Sequence, residues 1–372
     1  MPRGKYQDKA EELFANADVR INGDRPWDIQ VHDDRAYTRW LADGTMGFGE
    51  SYMDGWWDSP RLDELILRLV RARLDQHVRT LGMLWHALGA RLFNEQTRRR
   101  SRKVGRQHYD IGNHLYEIML GDRMMYSCGY WMEADTLDEA QEAKLDLICR
   151  KLDVQPGMRV LDIGCGWGGA ARFVAEKYGA EVVGVTISAE QARLAQENCK
   201  GLPIDIRMED YRNIDGKFDR IYSIGMFEHV GYKNYHTYMD AARKLLADDG
   251  RFLLHTIGGN YSVHGTDPWV RKYIFPNSML PSIAQIGKAI ERKFVMEDWH
   301  NFGPDYDRTL MSWWSRFDEN WDKLKADYDK RFYRMWKFYL LSSAGLFRCR
   351  ENQLWQVVLT PHGLPGGFPP VR

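Results

Sequence analysis

No apolar run in these 372 residues approaches the ~18–20 that a membrane span needs, which argues against a membrane-spanning helix. Cysteine is scarce and scattered: Cys128, Cys149, Cys165, Cys199 and Cys349 never form a C-x-x-C pair. An odd number so spread argues against a disulfide framework or a thiolate zinc site, and no metal is expected. Neither charge sign is in excess, with 52 Lys plus Arg against 52 Asp plus Glu, so no nucleic-acid partner is expected on global charge. The opening MPRGKYQDKAEELF has no apolar core, so the expectation is a cytoplasmic chain without a secretory signal. There is no G-x-x-x-x-G-K-S/T, which excludes a P-loop. Aromatics, by contrast, are abundant, at 14 Trp, 19 Tyr and 15 Phe. They predict a large aromatic core, and they also suit pockets for apolar or cationic ligands.

Charge is uneven along the chain. Between Arg68 and Gln107 stand eleven basic residues, against only Asp75 and Glu95. Leu81, Leu84, Trp85, Leu88, Leu92 and Phe93 recur there at helical spacing, followed by an RRRSRK run. Three uses fit this segment: a solvated helix face with a linker, a surface for anionic phospholipid, or a nucleic-acid tail. A boundary here divides the chain into a mainly helical N-terminal docking domain (1–92), a basic linker (93–106) and a catalytic domain (107–372). Four glycines beside Tyr52, Trp56 and Trp57, across residues 44–57, predict tight turns packed on rings.

From residue 158 the pattern changes. Strands are predicted at 159–163, 182–187, 204–208, 219–224 and 252–257, with helices at 170–178, 189–199 and 235–246. A strand at 294–299, two aromatic-rich helices between 308 and 347, and a strand at 354–359 follow. Alternation at this spacing predicts an α/β fold with a doubly wound, mostly parallel sheet. The segment VLDIGCGWGG (160–169) places Gly164, Gly166 and Gly168 after the first strand, where backbone approaches a ligand and a helix N-terminus follows. Asp162 at the strand end would repel a pyrophosphate but receive a cationic ligand. A dinucleotide enzyme places an acid about 20 residues further on. Here the second strand ends at Val185-Thr186 without one, which argues against NAD and FAD.

That strand and its GCGWGG turn resemble motif I of the Rossmann-like AdoMet-dependent methyltransferases. More specific stretches are HYDIGN (108–113), MYSCGYW (125–131), GVTIS (184–188) with Gln191, and GMFEHV (225–230). With them stand GESYMDGWW (49–57), LHTIG (254–258), KYIFPN (272–277) and DWHNFGPDYD (298–307). Together these resemble the cyclopropane-fatty-acyl-phospholipid synthases, of the same superfamily as the mycolic acid cyclopropane synthases, over essentially the whole chain.

The resemblance implies a class I AdoMet methyltransferase domain with a seven-stranded, mostly parallel sheet and a small helical N-terminal domain. It also implies transfer of a methylene from S-adenosyl-L-methionine to the cis double bond of phospholipid acyl chains, through a carbocation. It implies a bicarbonate ion as base, held by residues matching Cys128, Glu228, His255 and Tyr306, with main-chain help near Ile257. For AdoMet it implies Tyr126, Ser127, Asp162, Gly164, Gly166 and Gly168 at the methionine and ribose, Thr186, Ile187 and Gln191 at the ribose, and Asp210 and Tyr211 at the adenine. A homodimer, peripheral to the inner face of the cytoplasmic membrane, is implied likewise.

The chemistry asks for a dry pocket with electron-rich walls, for which Tyr126, Tyr130, Trp131, Tyr273, Phe275, Tyr306, Trp313 and Trp314 are available. One departure is Ser343, in SSAGLFR (342–348), where many relatives carry cysteine. An unactivated hydroxyl is a far poorer nucleophile than a thiolate, so a covalent route is not expected. Two other readings stay open: a synthase of methyl- or methylene-branched chains, and a lipid-binding protein without turnover. A small-amine or nucleic-acid methyltransferase fits less well with neutral charge and an extra N-terminal domain.

Overall fold

The computed structural model describes residues 3–74 and 112–372. The basic segment is therefore outside the described residues from Asp75 onward, as are the first four residues of HYDIGN. In chain order the described elements begin with helix α1 (Arg3–Ala15), strand β1 (Gln30–Val31), α2 (Arg35–Met53), β2 (Trp57–Asp58) and α3 (Leu62–Arg71). They continue with α4 (Asn113–Leu120), α5 (Leu137–Leu152), β3 (Arg159–Ile163), α6 (Gly169–Tyr178), β4 (Glu181–Thr186), α7 (Ala189–Asn198), β5 (Ile204–Met208) and β6 (Phe218–Ile224). Last come α8 (Tyr235–Leu245), β7 (Leu246–Gly259), α9 (Pro268–Tyr273), α10 (Ile283–Ile290), β8 (Val295–Asn301), α11 (Pro304–Glu319), α12 (Trp321–Leu324), α13 (Lys330–Arg348) and β9 (Asn352–Thr360). Among the described residues no helix is long and apolar enough to cross a membrane.

The chain forms two compact units, and they do not follow a contiguous split. One gathers residues 1–93, 264–276 and 310–352; the other gathers 94–263, 277–309 and 353–372. The expected catalytic span 107–372 thus gives two of its segments to the N-terminal unit. The cause is apolar. Phe338 of α13 packs against Tyr52 (5.4 Å between ring centroids) and Trp269 (4.7 Å), and Trp57 stacks near Phe48 at 4.2 Å. The indole N–H groups of Trp40 and Trp57 both donate to the Ser51 hydroxyl at 3.0 Å, so the buried rings carry no orphan donor.

The turns expected over residues 44–57 are mostly helix instead. α2 runs on to Met53, and only Gly44 leaves helical dihedrals, at φ 55° and ψ −132°. Two other glycines serve close approach. A Cβ on Gly47 would stand 2.3 Å from the Arg39 carbonyl oxygen, and one on Gly49 would stand 2.4 Å from the Trp269 indole.

In the second unit the seven strands lie in the order β5-β4-β3-β6-β7-β9-β8. β3 pairs in parallel with β4 and β6, β4 with β5, and β6 with β7, while β8 and β9 are antiparallel. Alternation along the strands separates two apolar layers. Leu161, Ile221, Phe252, Leu254 and Val357 pack on one face, and Val160, Val182, Tyr222, Leu253 and Val358 on the other. α5 is framed at its start by a Thr136–Glu139 capping box and stopped by Asp153 in a left-handed conformation. All five parallel strands point the same way, so the loops after them share one edge of the sheet, where open α/β sheets bind ligands.

Candidate active site

The glycine turn after β3 is fixed to its neighbour strand. The Gly164 and Cys165 amides both donate to the Val185 carbonyl, at 2.9 and 3.0 Å. Gly164, Gly166 and Gly168 all take positive φ, at 91°, 54° and 84°. Their surroundings differ. A Cβ on Gly164 would meet Met226 at 2.9 Å and one on Gly168 would meet the Cys199 sulfur at 2.8 Å, but Gly166 faces open space. Gly169 was not singled out from the sequence, yet a Cβ there would stand 1.8 Å from the Arg123 carbonyl oxygen. Asp162 is buried with Oδ2 unpartnered, and burial pushes its carboxyl up to about 7, against a pull from Tyr222.

After β4, the Thr186 hydroxyl donates to Gln191 Oε1 at 3.0 Å, and both side chains are buried. Ile187 between them is exposed. After β5, Asp210 caps the turn Tyr211–Asn213 and is gripped by the Arg212 guanidinium, with Nε at 2.7 Å from Oδ1. Asp210 is thus a buried, paired group rather than a free surface carboxylate. Tyr211 packs edge-on against Tyr238 at 5.1 Å. Tyr126 meets the glycine turn indirectly: it lies 5.2 Å from Tyr116, which lies 4.9 Å from Trp167.

The other predicted residues follow β6 and β7. Glu228 is buried, and its Oε1 accepts the Ile257 amide at 2.7 Å while Oε2 has no partner. The Ile257 amide is therefore committed to Glu228, not left free for an anion. Burial pushes the Glu228 carboxyl up to about 7, against opposing pulls from the Ile257 and Glu228 amides and Thr256. His255 is buried, its Nε2 unpartnered, and Nδ1 is 3.4 Å from the Gln356 amide nitrogen. Burial, with Lys144 and Lys151 adding to it, keeps the imidazole neutral. Phe302 stands 5.9 Å from that ring and 5.3 Å from Tyr130.

Cys128 is fully buried, and its thiol donates to the Gly129 carbonyl at 3.1 Å. Burial raises its pKa well above the usual range, so it is a thiol and not a nucleophile. Tyr306 is buried in the first turn of α11, beside Asp305, which accepts the Trp131 amide at 2.7 Å. Tyr273, Phe275, Trp313, Trp314 and Ser343 all fall in the other compact unit.

Sequence reasoning missed Gln141 and Lys144 of α5, both fully buried. Lys144 Nζ donates to the Ser127 hydroxyl at 2.8 Å and to Gln141 Oε1 at 2.7 Å, while Gln141 Nε2 donates to the Ser127 carbonyl at 2.8 Å. Their signal was positional. Ala140, Gln141, Lys144, Leu145 and Ile148 share one helical stripe, so the polar pair lies on the apolar face.

The strand order, with β9 inserted between β7 and β8 and antiparallel to β8, and the glycine turn define a class I AdoMet-dependent methyltransferase. Comparison with known proteins narrows this. Residues 96–357 match the model of the mycolic acid cyclopropane synthetase family. The chain is 50% identical over 369 residues to the cyclopropane-fatty-acyl-phospholipid synthase of Escherichia coli K12, covering 99% of this chain and 96% of that one. Among solved structures, the cyclopropane synthase MmaA2 from Mycobacterium tuberculosis is 30% identical with a TM-score of 0.66, over 69% of this chain and 97% of that one. The mycolic acid cyclopropane synthase CmaA1, in complex with SAH and CTAB, is 31% identical with a TM-score of 0.64 over the same shares. The chain belongs to the mycolic acid cyclopropane synthetase family.

Proposed function

We propose that this enzyme adds a methylene from AdoMet across the cis double bond of acyl chains in membrane phospholipids, closing a cyclopropane ring. The observation that carries the reading is the identity along nearly the full chain to a synthase of that name, with Glu228 and His255 buried and each holding an unpartnered polar atom. AdoMet supplies an electrophilic methyl group. The glycine turn fits it: Gly166 leaves room at the loop, and the unpartnered Asp162 oxygen is an acceptor for a cationic ligand. Thr186 and Gln191, already bonded to one another, present the pair that stands where a dinucleotide enzyme carries an acid.

Methylation of an alkene leaves a carbocation on the neighbouring carbon, which water would trap. Tyr130, Trp131, Phe302 and Tyr306 would line the dry side of that pocket with electron-rich rings. Ring closure then needs a proton removed from the new methyl. Bicarbonate supplies a weak base for that step. With its pKa pushed up to about 7, Glu228 has a protonated form available near neutral pH, and that form meets an anion as a donor and not as a like charge. With the Gln356 amide donating to Nδ1, the His255 proton sits on Nε2 and is a second donor. Tyr306 and the neutral Cys128 thiol complete the set. The reading extends to a homodimer that docks peripherally on the cytoplasmic membrane face.

The test is product analysis of purified protein with AdoMet and vesicles of cis-monounsaturated phospholipid, by mass and proton NMR. One added methylene with upfield ring protons is expected. Added mass with olefinic protons would assign the proton loss to another carbon, and bound AdoMet without mass gain would favour the lipid-binding alternative.

A further inference from the structure

Lys144 is a buried cation without a carboxylate. Its ammonium is fully inaccessible, and it donates to Ser127 and Gln141, which are neutral. An uncompensated ion in a protein interior is expensive, and such a group persists where an opposite charge arrives or where it loses its proton. Lys151, the second buried lysine, shows the ordinary solution, with Asp298 at 3.0 Å.

The neighbourhood of Lys144 is the anion site of the proposed function. Ser127 adjoins Cys128, and the Lys144 charge acts on both the Cys128 thiol and the His255 ring. Burial is the main influence on the ammonium itself and lowers its pKa to about 7. Among the described residues no carboxylate makes an ion pair with it. Burial pushes the nearby Glu228 carboxyl up to about 7, toward its uncharged form. Of the candidate anion donors, Cys128 is a thiol, His255 is neutral and Glu228 is a carboxyl, so none of these three brings a positive charge to balance a negative ion.

We propose that Lys144 is the countercharge of the bound anion, a positioning residue that acts through Ser127 and the Cys128 loop without touching the reacting carbons. This rests on the anion-base reading of the site. An anion there and the Lys144 ammonium stabilise one another, so each raises the occupancy of the other. Gln141 holds the ammonium in place and fixes the Ser127 carbonyl, so the charge and the loop move as one piece.

The experiment measures binding of 13C-labelled bicarbonate to the full-length protein by NMR titration, with AdoMet affinity read on the same samples. Two variants separate charge from hydrogen bonding. Lys144→Met removes both, and Lys144→Gln removes the charge but keeps a donor for Ser127. Both should weaken bicarbonate binding at least tenfold, with AdoMet affinity changed less than about threefold in Lys144→Gln, which keeps the donor to Ser127. Bicarbonate binding by Lys144→Gln equal to that of the unaltered protein would overturn the countercharge. In the unaltered protein, 15N-lysine NMR should show the Lys144 pKa rising when bicarbonate is added, and a fixed pKa would also overturn it. If the unaltered protein binds no bicarbonate, the anion-base reading itself fails, which is a distinct result.

Discussion

At the scale of single residues, the buried carboxyl of Glu228 makes a testable demand on stability. Its pKa in the folded chain, about 7, lies above the ordinary 4.5, so the folded state holds the proton more tightly than the unfolded state. That stabilisation is complete below the unfolded pKa and is lost as pH rises through the folded one. Glu228→Gln cannot titrate and keeps an oxygen for the Ile257 amide. Urea unfolding should therefore show the unaltered protein losing about 2–3 kcal/mol relative to Glu228→Gln between about pH 5 and pH 8. A difference that is flat across this range would mean that the carboxyl is ionised throughout. The glycine turn allows a second separation. Gly166→Ala places a methyl in open space at φ 54°, a strain of about 1 kcal/mol, whereas Gly168→Ala drives a methyl to 2.8 Å from the Cys199 sulfur. Gly166→Ala should melt close to the unaltered protein yet bind AdoMet at least tenfold more weakly by calorimetry. Gly168→Ala should lose stability first. Equal AdoMet affinity in Gly166→Ala would place the cofactor elsewhere.

At the scale of elements, the strands and helices of the sheet were legible because burial on both faces leaves continuous apolar runs, as in RVLDI of β3 and EVVGVT of β4. The Gly44 region was not legible. Glycines in a short window signal turns locally, and only the later-arriving Trp269 indole explains Gly49 inside a helix. Glu228 and His255 came from family resemblance, since lone acids and histidines carry no periodicity. Lys144 and Gln141 went unseen because polar residues on a helix are ordinarily solvated. The pairing of β7 with β9 gives a prediction at this scale. A Cβ on Gly258 would lie 1.9 Å from the Trp355 ring, which is itself buried and packed edge-on against Trp299. Gly258→Ala should cost about 3 kcal/mol or more by thermal or urea unfolding, since the overlap involves a large immobile ring. A loss under about 1 kcal/mol would show that the ring can retreat. The α5 capping box is a milder case: Thr136→Ala should cost about 1 kcal/mol.

At the scale of the molecule, the units are woven from separated stretches of sequence. α13 gives the first unit Phe338, and its Arg334 donates to the Trp57 carbonyl at 2.8 Å, while Arg348 pairs with buried Asp63 at 2.5 Å. Expressing residues 107–372 alone would leave these groups, and Trp269, without the partners that residues 1–74 provide. That fragment should aggregate or melt well below the full chain, and a soluble fragment with unchanged AdoMet affinity would show that residues 1–106 are dispensable for folding. The same weave has a consequence during synthesis. The ribosome releases α3, ending at Arg71, roughly 260 residues before α13 begins at Lys330. At roughly 5–20 residues per second, the Trp40, Tyr52 and Trp57 surface waits on the order of tens of seconds for Phe338. A segment made well before its partner is completed late, so the nascent chain presents an aromatic surface that a holdase chaperone would shield while the intervening residues are made.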